Sequence, residues 1–446
     1  MNFIFYLFIK KILNIFHILI LLGIFVIKTE SFTGERCGHS SVLVDSKLYF
    51  FGGIKVNGFL SDEVFYLDVS KTFNIESPPW VDLSIHAKMP FGSAMTTMSL
   101  VYIDNEPIAY LFGGMMYDPI TNVNIYVTNV HRFNPKTLEW NVPTINGEEP
   151  LKRRNIRGVS DDNGKIYIFS GFRSSDFYFY DEILILDTVN SAWSYGSTID
   201  MPIRRAGYSA TMLKSGVIVY IGGSMTEYQI TEDINRIHLY DTKQDTWSSM
   251  IATNTSFIES RFFHSTVLDP DENIIVYGGR KSKVGFGKVE PALIVLNTRK
   301  TPFEWTVPLV STNIGHILAT SGHTANLVGN YMIVAFGNIT ELHSRNKMYS
   351  SRMYIMDIRN YTWVETFEVI DNTNNKTEES PNVPNVNLPE NIQRIKIVIG
   401  VISGVISIII LSIIGFIVYK KRGNDENRNI VKHLNMVKHL KHVTNE

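Results

Sequence analysis

The chain has 446 residues, a formal net charge of −1, 44% hydrophobic residues and 12% aromatic residues. That is a globular composition with material for a large core, and a charge so near zero argues against a nucleic-acid partner. Its single cysteine, Cys37, excludes an intramolecular disulfide, so stability has to come from packing and hydrogen bonding.

The chain opens with Lys10 and Lys11, an apolar run from Ile12 to Ile27, and then Thr29-Glu30-Ser31. A basic start, an apolar centre and a small boundary residue read as a secretory signal peptide over residues 1–31. An uncleaved anchor is the alternative, because Met1–Phe8 is also apolar and lengthens the span.

Residues 33–368 repeat. Six tryptophans, Trp80, Trp140, Trp193, Trp247, Trp305 and Trp363, are separated by 60, 53, 54, 58 and 58 residues. A fixed period of this size marks an array of one supersecondary unit. Upstream of each tryptophan, an aromatic and β-branched run ends in a glycine pair or in a pair keeping one glycine. These runs are Leu48–Gly53, Tyr110–Gly114, Ile166–Gly171, Val219–Gly223, Ile275–Gly279 and Ile333–Asn338. The full pairs are Gly52-Gly53, Gly113-Gly114, Gly222-Gly223 and Gly278-Gly279. Such runs read as strands, and paired glycines suit a tight turn or a close backbone approach.

A third short run follows in every repeat and is closed by Asp68, Asn134, Asp187, Asp241, Asn297 or Asp357. Asp and Asn start turns by bonding their own backbone, so the tryptophan falls on a fourth strand. A further strand precedes each glycine run, as in Ser40–Val44, which gives about four strands per unit.

This order of apolar run, glycine pair, turn residue and tryptophan resembles the kelch motif, and six units cover about three quarters of the chain. The resemblance implies an all-β fold, a six-bladed kelch-type β-propeller with each repeat forming one blade. The tryptophans are expected between neighbouring sheets, each worth about 3–5 kcal/mol against truncation to alanine. Two modes of ring closure remain open: side-chain packing alone, or a strand from Phe32 to Arg36.

Arg36, Arg205 and Arg261 stand 16 or 17 residues before their glycine pairs, and Arg154 is assigned the same offset in the third repeat. In kelch propellers this segment faces the central opening, and in some members its arginines bind acidic peptides. The resemblance therefore implies a cationic ring of Arg36, Arg154, Arg205 and Arg261, the guanidinium fork being suited to carboxylates. The competing expectation is that these arginines bond to carbonyls of neighbouring blades and hold the ring together.

No catalytic residue, metal site or cofactor is expected, since no metal-ligand spacing, nucleophile elbow or phosphate loop occurs. The kelch resemblance includes galactose oxidase, a copper enzyme with a tyrosine crosslinked to cysteine. Here Cys37, beside Gly38-His39, lies in a segment that matches the other repeats and reads as ordinary blade.

Residues 371–392 are rich in Asn, Pro, Glu and Thr and read as a disordered stalk. Ile397–Tyr419 is 23 residues without a charge, long enough to cross a bilayer. The tail, residues 420–446, holds seven Lys/Arg against three Asp/Glu, and the positive-inside bias puts it in the cytosol. Gly400 and Gly404 lie four apart in the apolar segment, a spacing that allows a homodimer through close helix contact. Four glycosylation sequons, at Asn254, Asn338, Asn360 and Asn375, precede that segment.

The expectation is a single-pass type I protein of the plasma membrane or secretory pathway. Its extracytoplasmic propeller would bind a protein or glycan ligand, without enzymatic activity. The alternatives are a carbohydrate-active enzyme and a membrane scaffold acting through its tail.

Overall fold

The computed structural model describes residues 34–118, 123–125, 130–173, 178–225, 231–254, 257–281, 287–341 and 348–369. The expected signal segment, the stalk, the apolar segment with Gly400 and Gly404, the basic tail and Asn375 lie outside the described residues. Among those described, no helix is long and apolar enough to cross a membrane.

Each repeat folds into a four-stranded antiparallel sheet whose strands follow one another in chain order. The first blade is Ser40–Val44, Lys47–Phe51, Val64–Asp68 and Trp80–Asp82, and the fourth is Ser209–Met212, Val217–Ile221, Arg236–Asp241 and Thr246–Ile251. Six such sheets make a six-bladed all-β propeller.

The continuous apolar runs follow from burial on both faces of each sheet. Alternate residues of Lys47–Phe51 serve different neighbours, as the two-residue period of a strand requires. Tyr49 and Phe51 pack with Ala109, Leu111 and Phe133 of the second blade. Leu48 and Phe50 pack with Ile333 and Ala335 of the sixth.

The turn residues act as expected. Asp68, Asn134, Asp187, Asp241, Asn297 and Asp357 each accept a hydrogen bond on Oδ1 from the backbone N–H two residues on, at 2.9–3.1 Å. This local bond reverses the chain between third and fourth strands without help from another blade.

Five of the six tryptophans approach the aromatic residue that ends the apolar run of the preceding blade. Ring centroids are 5.6 Å apart for Trp140 and Phe51, 5.4 Å for Trp193 and Phe112, and 5.1 Å for Trp247 and Phe169. They are 5.2 Å apart for Trp363 and Tyr277, and 6.0 Å for Trp80 and Phe336 across the ring seam. Trp305 packs instead among aliphatic residues including Ile221. Burial is uneven: Trp247, Trp305 and Trp363 are buried, whereas Trp80, Trp140 and Trp193 are half-buried.

The glycine pairs join blades. Both residues of every pair have positive φ. The sixth pair is Phe336-Gly337, with φ of 61° and 101°, one residue earlier than the Gly337-Asn338 register expected from the sequence. The second residue donates its N–H to a carbonyl of the next blade: Gly53 to Ser93, Gly114 to Arg153, Gly171 to Arg205, Gly223 to Arg261, Gly279 to Thr320, and Gly337 to Arg36, at 2.7–3.1 Å. A Cβ on Gly52 would stand 2.4 Å from the Ser93 carbonyl oxygen, so close approach as well as backbone conformation demands glycine there.

Nearer the axis, a second set of backbone bonds closes on itself. Gly38 donates to Gly322, Gly322 to Phe263, Phe263 to Gly207, Gly207 to Asn155, Asn155 to Met95, and Met95 back to Gly38, at 2.7–3.2 Å. One residue from each blade contributes, and all six have positive φ.

Ring closure combines these backbone bonds with a short pairing at the rim. Side-chain packing alone does not describe it, and of the alternative strand from Phe32 to Arg36 the first two residues lie outside the described residues. Arg36–Cys37 pairs with Ile54–Lys55, inside the first blade. Past the last tryptophan, Thr366–Phe367 pairs antiparallel with Phe73–Asn74 of the first blade, and the Phe367 and Phe73 rings stack at 5.1 Å. Elsewhere the connector between blades covers the outer strand of the next blade, as Ser311–Thr312 does for Thr362–Val364. The chain after the sixth blade thus treats the first blade as its successor.

Candidate binding face and the arginine staples

Arg36, Arg205 and Arg261 are buried and turned into their own blades. Each guanidinium bridges three places. Nε donates to the carbonyl two residues back, that of Gly34, Ile203 or Glu259, at 2.9–3.2 Å. Nη1 donates to the carbonyl of the first pair residue, Gly52, Gly222 or Gly278, at 3.1–3.4 Å. Nη2 reaches the loop before the third strand: Glu63 at 2.8 Å, Glu232 at 3.0 Å, or the Pro291 carbonyl at 2.8 Å.

The fourth member of this set is Arg153, not Arg154. Arg153 donates to the carbonyls of Leu151 and Ser170, and it pairs with Glu182. The offset has to be counted to the first residue of the pair, whose carbonyl takes the bond; counting to Gly171 selects Arg154 wrongly. The carbonyls these guanidiniums take lie in their own blade, while the arginine's own carbonyl accepts from the preceding one. Both sequence expectations for these residues therefore differ from what is found. Burial lowers the pKa of Arg36, Arg205 and Arg261, the last to about 10, while neighbouring carboxylates oppose the shift. The carboxylates Glu63 and Glu182, directly before the third strand, were legible as recurring partners and were missed.

Three residues on from the arginine position, His39, His264 and His323 are buried. Each Nε2 lies within 2.7–2.9 Å of a hydroxyl of the preceding blade: Thr324, Ser209 and Ser265 respectively. Burial pushes all three pKa values down, His323 to about 4.

The residue after each arginine position pairs with the residue after the glycine pair, so six short bridges surround the axis on the loop face. Among them are Cys37 with Ile54, Arg154 with Phe172, and Phe262 with Arg280. Arg154 lies 5.1 Å above the Phe172 ring, and Arg280 lies 4.7 and 5.0 Å above Phe262 and Phe263. Burial lowers Arg280 to about 10, with the Cys37 thiol opposing the shift. Cys37 itself is buried and also bonds the Tyr349 phenol. Among the described residues no three His, Cys, Asp or Glu side chains converge as a metal site.

Further out on the same face, Tyr178 is 42% exposed. Arg173 and Arg204 lie 5.3 and 5.4 Å from its ring centroid, and Arg204 also pairs with Asp181 at 2.5 Å. Phe59, 59% exposed, approaches Tyr117 of the next blade at 6.5 Å. This face thus carries guanidiniums placed over aromatic rings, an arrangement that fixes donors at low entropic cost.

The sequence profile described as the KLHDC2/KLHL20/DRC7 kelch-repeats domain matches residues 26–223, and that described as the attractin/LZTR1 β-propeller matches residues 163–383. The chain belongs to the kelch-repeat β-propeller family. It is 28% identical over 267 residues to Kelch domain-containing protein 3 of Homo sapiens, a match covering 56% of this chain and 65% of that protein. It is 22% identical over 215 residues to Alpha-scruin of Limulus polyphemus, covering 47% of this chain and 21% of that protein. The solved structure of YjhT aligns with a TM-score of 0.55 at 14% identity, covering 74% of this chain and 97% of that one, and shares the fold alone. Kelch propellers are generally protein-binding modules.

Of the sequons, Asn360 is exposed on the turn between third and fourth strands of the sixth blade. Asn338 is half-buried in a strand and pairs with Ser321. The Asn254 side-chain amide donates to the Trp305 carbonyl at 2.9 Å.

Proposed function

We propose that this kelch propeller is the extracytoplasmic ligand-binding domain of a single-pass type I membrane protein in the plasma membrane or secretory pathway. Its loop face holds an acidic segment of a partner protein. The observation that carries this reading is the Arg173–Tyr178–Arg204 stack, joined on the same face by Arg154 over Phe172 and Arg280 over Phe262. Arginine and tyrosine dominate binding energy where proteins meet, and a guanidinium fork pairs well with carboxylates. The buried arginines Arg36, Arg153, Arg205 and Arg261 shape the loops that present this face.

Membrane placement rests on the apolar segment 397–419 and the basic residues after it. A carboxylated glycan satisfies the same chemistry and is the second candidate ligand, since exposed rings such as Tyr178 also accept sugar faces.

The test is a screen of the full-length chain in detergent against arrays of acidic peptides, neutral peptides and carboxylated glycans. Retention of acidic peptides, weakened by salt, supports the reading. Retention of glycans alone moves it to the second ligand class. Binding that ignores charge contradicts both.

A further inference from the structure

In five of the six blades the tryptophan is held by the connector that enters its own blade. The Trp140 and Trp247 indole nitrogens donate to the carbonyls of Ala87 and Ser197 at 2.9 and 2.8 Å. The Trp193 and Trp305 amides donate to the carbonyls of Asn146 and Thr253, and the Trp363 carbonyl accepts from the Asn313 N–H, at 2.8–3.0 Å. Apolar connector residues cover the same clusters: Met89 in the second blade, Ile145 in the third, Met201 in the fourth, Ile258 in the fifth and Ile317 in the sixth.

The first blade differs. The connector that enters it is the chain before Gly34, which lies outside the described residues. Beside Trp80, at the seam with the sixth blade, there is a cavity of about 1170 Å³. Gly34, Ile75 and Trp80 line it from the first blade, and Met353, Tyr354 and Glu365 from the sixth. The chain leaving the sixth blade covers one side only. The Glu365 carbonyl takes the Ile75 N–H at 2.8 Å, and Thr366–Phe367 then pairs with Phe73–Asn74. In the sixth blade, by contrast, Ser311–Thr312 runs parallel to the tryptophan strand itself. A volume above the roughly 300–1,000 Å³ of small-ligand pockets takes a short run of chain.

Covalent geometry decides which run is at hand. Successive Cα atoms are about 3.8 Å apart, so Thr33 and Phe32 start from the cavity wall at Gly34. The repeat sets their register. Phe32 is the fourth residue before Arg36, as Met201 is the fourth before Arg205. Met89 is the fourth before Ser93, whose carbonyl accepts the Gly53 N–H as the arginine carbonyls accept theirs. Met89 is buried and Met201 half-buried, each against the cluster of its own tryptophan.

We propose that the segment Phe32–Thr33 occupies this cavity, with the Phe32 ring against Trp80. The two ends of the propeller then share the task that one connector performs in every other blade. An aromatic ring there takes apolar surface of Ile75, Trp80 and Met353 out of water. Any processing of the leader has to leave Phe32 on the chain.

The test places the photo-crosslinker benzoylphenylalanine at position 32 of the full-length protein in detergent. Mass spectrometry is expected to find it joined, within one chain, to a peptide containing Ile75 and Trp80 or one containing Met353 and Tyr354. Links to other peptides, or none, overturn the proposal, and links between two chains give the cavity to a second copy instead. Phe32→Ala is expected to lower the urea midpoint. Phe257→Ala, at the same count in the fifth blade but 81% exposed, is expected to leave it unchanged. A Phe32→Ala midpoint equal to that of the wild type contradicts the proposal, as does a natural amino terminus later than Phe32. Should Phe32→Ala fail to fold, the crosslink decides alone.

Discussion

Gly337 donates its backbone N–H to the Arg36 carbonyl at 2.9 Å, joining the sixth blade to the first with the contact that joins every other neighbouring pair. The ring is therefore continuous at its inner edge. The terminal pairing of Thr366–Phe367 with Phe73–Asn74 acts as a separate clasp at the outer edge.

That clasp predicts a stability effect far from any loop. Phe367→Ala removes a buried ring stacked on Phe73 and touching Tyr331 at 5.2 Å. It should cost about 3–5 kcal/mol, read as a lower urea midpoint. A change of a few tenths of a kcal/mol would mean that the inner-edge bonds alone close the ring.

The tryptophans should rank by burial. Trp305 is fully buried in an aliphatic cluster, whereas Trp193 is half-buried. Trp305→Ala is expected to lose about 3–5 kcal/mol and Trp193→Ala clearly less, by the same denaturation measurement. Equal losses would contradict this assignment of their packing.

Much of this architecture was legible in the sequence, because its causes are local. The Asp or Asn before each turn bonds its own backbone, and the glycine pairs need φ values that other residues rarely take. The limits appear where local rules give way to contacts between blades. Phe336 takes the place of a glycine at positive φ, so the sixth pair reads one residue late. Arg153 and Arg154 are adjacent, and only the position of the Ser170 carbonyl tells them apart. The stack at Tyr178 joins residues 173, 178 and 204 with no period to flag it.

Acid should destabilise the propeller in a defined window. His39, His264 and His323 have folded pKa values pushed below their ordinary 6.5 by burial, His323 to about 4. The unfolded chain then binds more protons below pH 6.5, so stability is full above that value and falls as pH drops toward 4. His323→Gln should flatten part of the slope of unfolding free energy between pH 6.5 and 4. An unchanged slope would show that the carboxylates govern acid unfolding.

The proposed extracytoplasmic placement predicts one well-exposed glycan among the described sequons. Asn360 on its turn should be modified in a secretory host, while Asn338, paired within a strand, should not. Peptide mass spectrometry after endoglycosidase treatment reads this directly, and Asn360→Gln should remove one glycan from the intact mass. An unmodified Asn360 in such a host would count against that placement.

The proposed recognition of acidic protein segments by the loop face is open to one direct binding measurement. The affinity of the full-length protein for an acidic peptide retained in the screen is compared with that of Arg173→Ser/Arg204→Ser and of Lys243→Ser on the opposite face. The double variant is expected to bind roughly tenfold more weakly or worse, about 1.4 kcal/mol, with a shallower salt dependence, while Lys243→Ser binds as the wild type does. Equal affinity of the double variant and the wild type would contradict it.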